Sequence, residues 1–150
     1  MIRTAARLAS DDAGAMAVET AIVAPMLLLL SLGAFQISMM VARQSELQSA
    51  AAEAAAIVMA ARPDTADQLA AIERVVESST GLASNQVTIS RIFRCGIDEA
   101  YTTAISACTP EQDVSTFVRI AMVDTYTPEW TQFGVGRPYT YRVTRTMQVS

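Results

Sequence analysis

From Thr20 to Ala42 the chain carries no charged side chain, and almost every residue is apolar. No other feature restricts the fold as strongly. A helix of that length covers about 30 Å or slightly more at ~1.5 Å per residue, the thickness of a bilayer core. The run therefore predicts a transmembrane helix at about 20–42. Arg3 and Arg7 precede it and Arg43 stands alone just after it. Counting basic residues, which largely ignores Asp11 and Asp12, favours an N-terminus in the cytoplasm and the remainder of the chain on the far side.

The 150 residues allow one anchor and one small domain. Mean hydropathy is positive, but the apolar residues crowd into the N-terminal third, and the chain after Pro63 reads as an ordinary soluble domain. Net charge is −4, and the eleven basic residues, all arginine, form no run. Nucleic acid is thus an unsuitable partner. Histidine is absent, which rules out Ser-His-Asp and Cys-His catalytic arrangements. No phosphate-binding or dinucleotide fingerprint is present, and Gly134-Val135-Gly136 reads as a loop. The sequence implies no cofactor and no catalytic residue.

The apolar span is the first part of a longer helix. Ala50 to Ala61 is nearly all alanine, the strongest helix former, so the helix should run over 15–62, about 70 Å at ~1.5 Å per residue. Pro63 ends it by pushing the residue before it out of helical dihedrals. Pro25 lies within the helix and predicts a kink, because it removes one backbone hydrogen bond and crowds the preceding turn. Ser31, Gly33 and Ser38 supply small surfaces for close contact between membrane helices.

A second helix follows. Thr65-Ala66-Asp67-Gln68 fits a capping box. Leu69, Ile72, Val75 and Val76 recur at helical spacing to about Thr80, and Gly81-Leu82 predicts a Schellman ending. Beyond Gln86 the period becomes two. Val87 to Phe93, Phe117 to Val123 and Tyr139 to Val149 read as three antiparallel strands. The predicted fold class is α+β: a long N-terminal transmembrane helix, a short helix and a small three-stranded antiparallel sheet. The predicted organisation is a cytoplasmic leader at 1–14, the long helix at 15–62 and a periplasmic α+β domain at 63–150.

Cys95 and Cys108 suit an exported domain, where a lone pair of cysteines commonly forms a disulfide; free thiols are the alternative. Two cysteines without histidine make a poor zinc site. Asp98, Glu99, Glu111 and Asp113 lack the spacing and turn glycine of a calcium loop, and read as a solvated acidic loop. Tyr126, Trp130 and Phe133, with Tyr139 and Tyr141, form either a partner surface or the seal of the sheet.

Glu19 stands at the mouth of the apolar span, five residues after Gly14. A charged group at the centre of a bilayer is disfavoured by roughly 2.5–3.5 kcal/mol on insertion scales. The first turn of a helix reduces that cost, since its dipole favours negative charge. Cleavage after Gly14 gives Ala15 a cationic amine four residues from Glu19, a counter-ion within one subunit or between neighbours. A single carboxylate per subunit then enforces stagger, because a shifted neighbour leaves it unpaired. Two other readings of the N-terminus are an uncleaved single-pass anchor and a secretory signal peptide cut after Gly33 or Ala34.

Gly14-x-x-x-Val18-Glu19-x-Ala21-Ile22-Val23-x-Pro25, the leucines and Gly33 that follow, and Leu47-Gln48-x-Ala50-Ala51-x-Glu53-Ala54-Ala55 resemble the TadE-like proteins. These are minor pilins or pseudopilins of the tight-adherence (Flp, type IVc) secretion system in bacteria. Thr20 stands where that family often has an aromatic residue. The resemblance implies a pilin-like fold and prepilin-peptidase cleavage between Gly14 and Ala15. It also implies roles for Glu19 and Pro25 in assembly. The implied partners are the lipid bilayer, companion minor pilins, the major Flp pilin and the inner-membrane assembly platform. The long tail after the helix implies a minor rather than a major subunit.

Overall fold

The computed structural model describes residues 12–97, 100–128 and 137–150, with side chains from Met16 onward. Helix α1 runs Asp12–Ala61 with Pro25 inside it, and helix α2 runs Ala66–Thr80. The strands are β1 (Val87–Cys95), β2 (Tyr101–Thr102), β3 (Val114–Tyr126) and β4 (Tyr139–Gln148), with a 3-10 turn at Ile105–Ala107 before β3. The chain divides into two units, residues 1–39 and 40–150.

In the first unit the helix buries none of its apolar stretch. Met16, Ile22, Met26, Leu28, Leu30, Phe35 and Ile37 are all more than half exposed. Its hydroxyls are satisfied locally: Thr20 donates to the Met16 carbonyl and Ser31 to the Leu27 carbonyl, both at 2.8 Å. Such back-bonding leaves little polar surface for an apolar environment to penalise. A Cβ added at Gly33 meets nothing within 4 Å, so the chain's own packing does not require glycine there.

The second unit packs helix against sheet. Leu47, Ala51, Ala54 and Val58 lie one above another along α1 and are essentially buried, at the spacing that places side chains on one helix face. They join Leu69, Ile72 and Val76 from α2 and Val87, Ile89, Val118, Ile120, Met122, Tyr141 and Val143 from the sheet in one core. The two alanines keep this face shallow, letting the helix approach the pleated surface. The latter part of α1 thus contributes to the core of the α+β domain as well as leading into it.

Thr65 caps α2 as its sequence predicts: its hydroxyl accepts from the Gln68 amide, and the Gln68 side chain accepts from the Thr65 amide. The C-terminal end differs from the predicted Schellman form. Gly81 is left-handed (φ 68°) and its amide bonds the Glu77 carbonyl, while the Leu82 amide turns to the Thr80 hydroxyl. This is the simpler left-handed ending with a single backbone bond. Val75 is half exposed, so the buried stripe of α2 is Leu69, Ile72, Val76 and Thr80.

The sheet has four strands, in the order β2-β1-β3-β4, rather than the predicted three. All pairings are antiparallel: Ile89 faces Ile120, Met122 faces Val143, and β2 adds Thr102 and Tyr101 opposite Phe93 and Arg94. A two-residue strand has no periodicity to read. It exists because the segment between the cysteines folds back on β1, and the disulfide Cys95–Cys108 closes that segment. Gly96 begins the turn with φ 58°, a left-handed conformation that glycine adopts without a Cβ penalty.

That return covers the sheet's other face. Ile92 and Phe117, paired across β1 and β3, are buried beneath an arginine–aromatic cluster. The Tyr101 ring meets Phe117 edge-on at 5.2 Å. The Arg94 guanidinium lies 5.3 Å from the Phe117 ring, and that of Arg119 5.6 Å from Tyr101. Each such cation–ring contact stabilises by about 0.5–1 kcal/mol where exposed. Replacing both cysteines by serine is expected to cost about 3 kcal/mol from loop-closure entropy. Denaturant unfolding of residues 40–150 with and without the pair measures it, and an unchanged midpoint contradicts it.

Candidate functional site

The residues singled out by sequence fall in two places. Gly14 and Ala15 lie within α1, which begins at Asp12. Glu19 is exposed in the same helix, on a side shared with Met16, Thr20, Val23 and Leu27. Among the described residues nothing pairs with its carboxylate: the ion pairs found there are Arg43–Glu46 and Arg43–Asp124. Glu19 is therefore a charge set in an apolar, unburied helix, available to a cation outside the described chain.

The second place is the end of the core where α1 meets the sheet. Arg43 Nε donates to Asp124 Oδ2 at 2.7 Å. Its Nη1 donates to Glu46 Oε2 and to the Thr80 carbonyl, each at 3.0 Å. One guanidinium thereby joins α1, the end of α2 and β3. Asp124 Oδ1 accepts the Thr125 amide at 2.8 Å. Beside it the Tyr141 hydroxyl donates to the Met40 carbonyl at 3.1 Å. Burial, with smaller contributions from Tyr126, Tyr139 and Asp124, holds the Tyr141 phenol above its ordinary pKa, so it remains a neutral donor at physiological pH.

Sequence reasoning missed this junction. Arg43 reads as an exit charge, and Asp124 lies 81 positions away, just past the predicted strand that ends at Val123. The available signal is that Asp124 is the one carboxylate within the four strands.

Among the aromatic residues, Tyr126 is half-buried and packs against the core. Tyr139 is 49% exposed, sits opposite Tyr126 in the sheet and meets Tyr141 edge-on at 5.0 Å. Trp130 and Phe133 lie outside the described residues, as do Asp98, Glu99, Arg3 and Arg7. Among the described residues no three metal-ligating side chains cluster.

These features define an α+β protein with one N-terminal helix long and apolar enough to cross a membrane. Residues 14–56 of that helix match the family model of TadE-like proteins, so the N-terminal segment is TadE-like. No curated protein and no solved structure matches the chain.

Proposed function

We propose that this protein is a pilin-like subunit of a tight-adherence pilus, a minor pilin or pseudopilin. It is held in the bacterial inner membrane by the span at about 20–42, with its N-terminus cytoplasmic and its α+β domain periplasmic. The observation that carries the reading is the match of residues 14–56 to TadE-like proteins over a helix whose N-terminal apolar stretch is unburied. Such a surface is tolerable in lipid, or against other helices of the same kind. Prepilin peptidase cuts between Gly14 and Ala15, and the new amine becomes a counter-ion for Glu19. The role is mechanical: the helix packs among companion minor pilins and the major pilin, under the inner-membrane assembly platform, while the domain gives partner specificity. The competing reading, a permanently anchored periplasmic scaffold, needs neither the cut nor the carboxylate. Glu19→Ala separates the two, since it should block assembly in the first case and change nothing in the second.

A further inference from the structure

The two edges of the sheet differ. One is β2, two residues long, in the segment closed by the Cys95–Cys108 disulfide, a short edge of the kind that resists further pairing. The other, among the described residues, is β4, a strand of 10 residues. Its ladder with β3 runs from Tyr139 to Gln148 without a bulge, and the strand contains no proline or lysine. Two hydrogen bonds fix which of its backbone groups are used. The Val149 amide donates to the Thr116 carbonyl at 2.9 Å, and on the far side of β3 the Val123 amide donates to the Gln86 carbonyl at 2.8 Å. Successive residues of a strand point their backbone groups to opposite sides, so Tyr141, Val143, Arg145 and Met147 turn theirs to β3. Thr140, Arg142, Thr144, Thr146 and Gln148 present theirs to the open edge, and all of these are exposed.

We propose that the open edge of β4 takes an acidic, extended segment of a partner protein as an added antiparallel strand. Main-chain bonds supply the attachment in such a complex, and side-chain pairing selects the partner. The selecting groups are Arg142 and Arg145. Both are exposed, and neither is in an ion pair among the described residues. β4 carries no carboxylate, although the chain as a whole has a net charge of −4, and the one carboxylate of β3, Asp124, is held by Arg43. A second copy of β4 fits this edge poorly. Alternation of the backbone groups pairs even positions with even and odd with odd, so the longest overlaps set Val143 against Val143 or Thr144 against Thr144. The first brings Arg142, and the second Arg145, diagonally opposite its own copy at about 7–8 Å, with no acid in either strand to offset the repulsion. An acidic strand meets the same positions favourably. Arg142 and Arg145 lie three positions apart and on opposite faces of the sheet, so carboxylates at positions i and i+3 of the partner face both at once. All of these residues belong to the unit at 40–150, so the edge exists whether or not α1 crosses a membrane.

Fluorescence anisotropy with the full chain in dodecyl maltoside tests this. The probe is a labelled peptide of about ten residues, alternating valine and threonine, with glutamate at two positions three apart. A control peptide carries N-methyl groups at the second glutamate and at every other residue from it, the amides that would face β4. Thr144→Pro removes one outward amide and none that bonds β3, a place where an edge strand tolerates proline. The acidic peptide should bind, and N-methylation or Thr144→Pro should abolish binding while near-ultraviolet circular dichroism stays unchanged. Arg142→Glu combined with Arg145→Glu should weaken binding about tenfold, and the same double variant should bind a peptide with arginine in place of both glutamates. Equal binding of the N-methylated peptide reduces the contact to surface charge and overturns strand addition. No binding of the acidic peptide at millimolar concentration overturns the site. A dimer in detergent that Thr144→Pro dissociates puts a second copy on the edge and overturns the acidic partner.

Discussion

Glu19→Ala is expected to leave the protein in the membrane and remove it from assembled complexes. Insertion depends on the uncharged run that follows, and deleting a charge at its entrance makes insertion no worse. Under the proposed function, assembly depends on pairing. Glu19 has no partner among the described residues, and the proposed function supplies its cation from the processed N-terminus or from a neighbour. Losing one member of a buried ion pair costs about 3–5 kcal/mol, which is a hundred-fold or more in an association equilibrium at about 1.4 kcal/mol per tenfold. Glu19→Gln keeps the shape without the charge and should fail similarly. The readout is the ratio of chain in sheared or crosslinked assemblies to chain in the membrane fraction. An unchanged ratio for both variants assigns Glu19 no part in assembly.

The other large effect is expected from Leu47. Its side chain is completely buried although it lies in the same helix as the uncharged apolar run. Leu47→Ala should destabilise residues 40–150 by about 2–5 kcal/mol, a large share of the roughly 5–15 kcal/mol that holds a domain together. The same packing predicts that a fragment beginning at residue 63 fails to fold, having lost Leu47, Ala51, Ala54 and Val58 from its core, whereas one beginning at residue 40 folds. Urea unfolding followed by circular dichroism decides both. A cooperative transition from the shorter fragment, equal to that of the longer, contradicts the packing.

These two residues also mark what the sequence could reveal. Local rules succeed where local chemistry decides: Thr65 and Gln68 form the predicted box, Pro63 follows the end of α1, and the period of two locates β1, β3 and β4. Glu19 is legible because a carboxylate at an apolar boundary is conspicuous whatever surrounds it. Leu47 and the alanines around it are less so. Alanine favours helix regardless of its neighbours, and nothing in the run itself says that one stripe of it touches a sheet. Alternation along β1 also misleads, because both faces are buried at different points, Val87 and Ile89 on one and Ile92 on the other. Strand β2 and the Arg43–Asp124 pair arise from chain return, so only the assembled fold shows them.

Glu73 adds a small, separately measurable feature of α2. Burial and the nearby Glu77 raise its pKa, so its ionised form opposes folding. That penalty is absent below the unfolded-state pKa and complete once pH exceeds the raised folded value. Glu73→Gln should therefore stabilise residues 40–150 at neutral pH by about 0.2–0.5 kcal/mol, the usual size for a like-charge pair at this spacing. The gain should vanish in acid. Equal stabilisation at both pH values contradicts the electrostatic cause.

The central claim is that this chain is a processed, pilin-type membrane subunit, and the most direct measurement is the intact mass of the protein recovered from membranes of cells that also express a prepilin peptidase. The account predicts the mass of residues 15–150, with Ala15 as the new N-terminus and Glu19 four residues beyond its amine. A full-length mass contradicts it and makes the protein a permanent anchor, while loss of everything through Gly33 or Ala34 makes it a secreted domain.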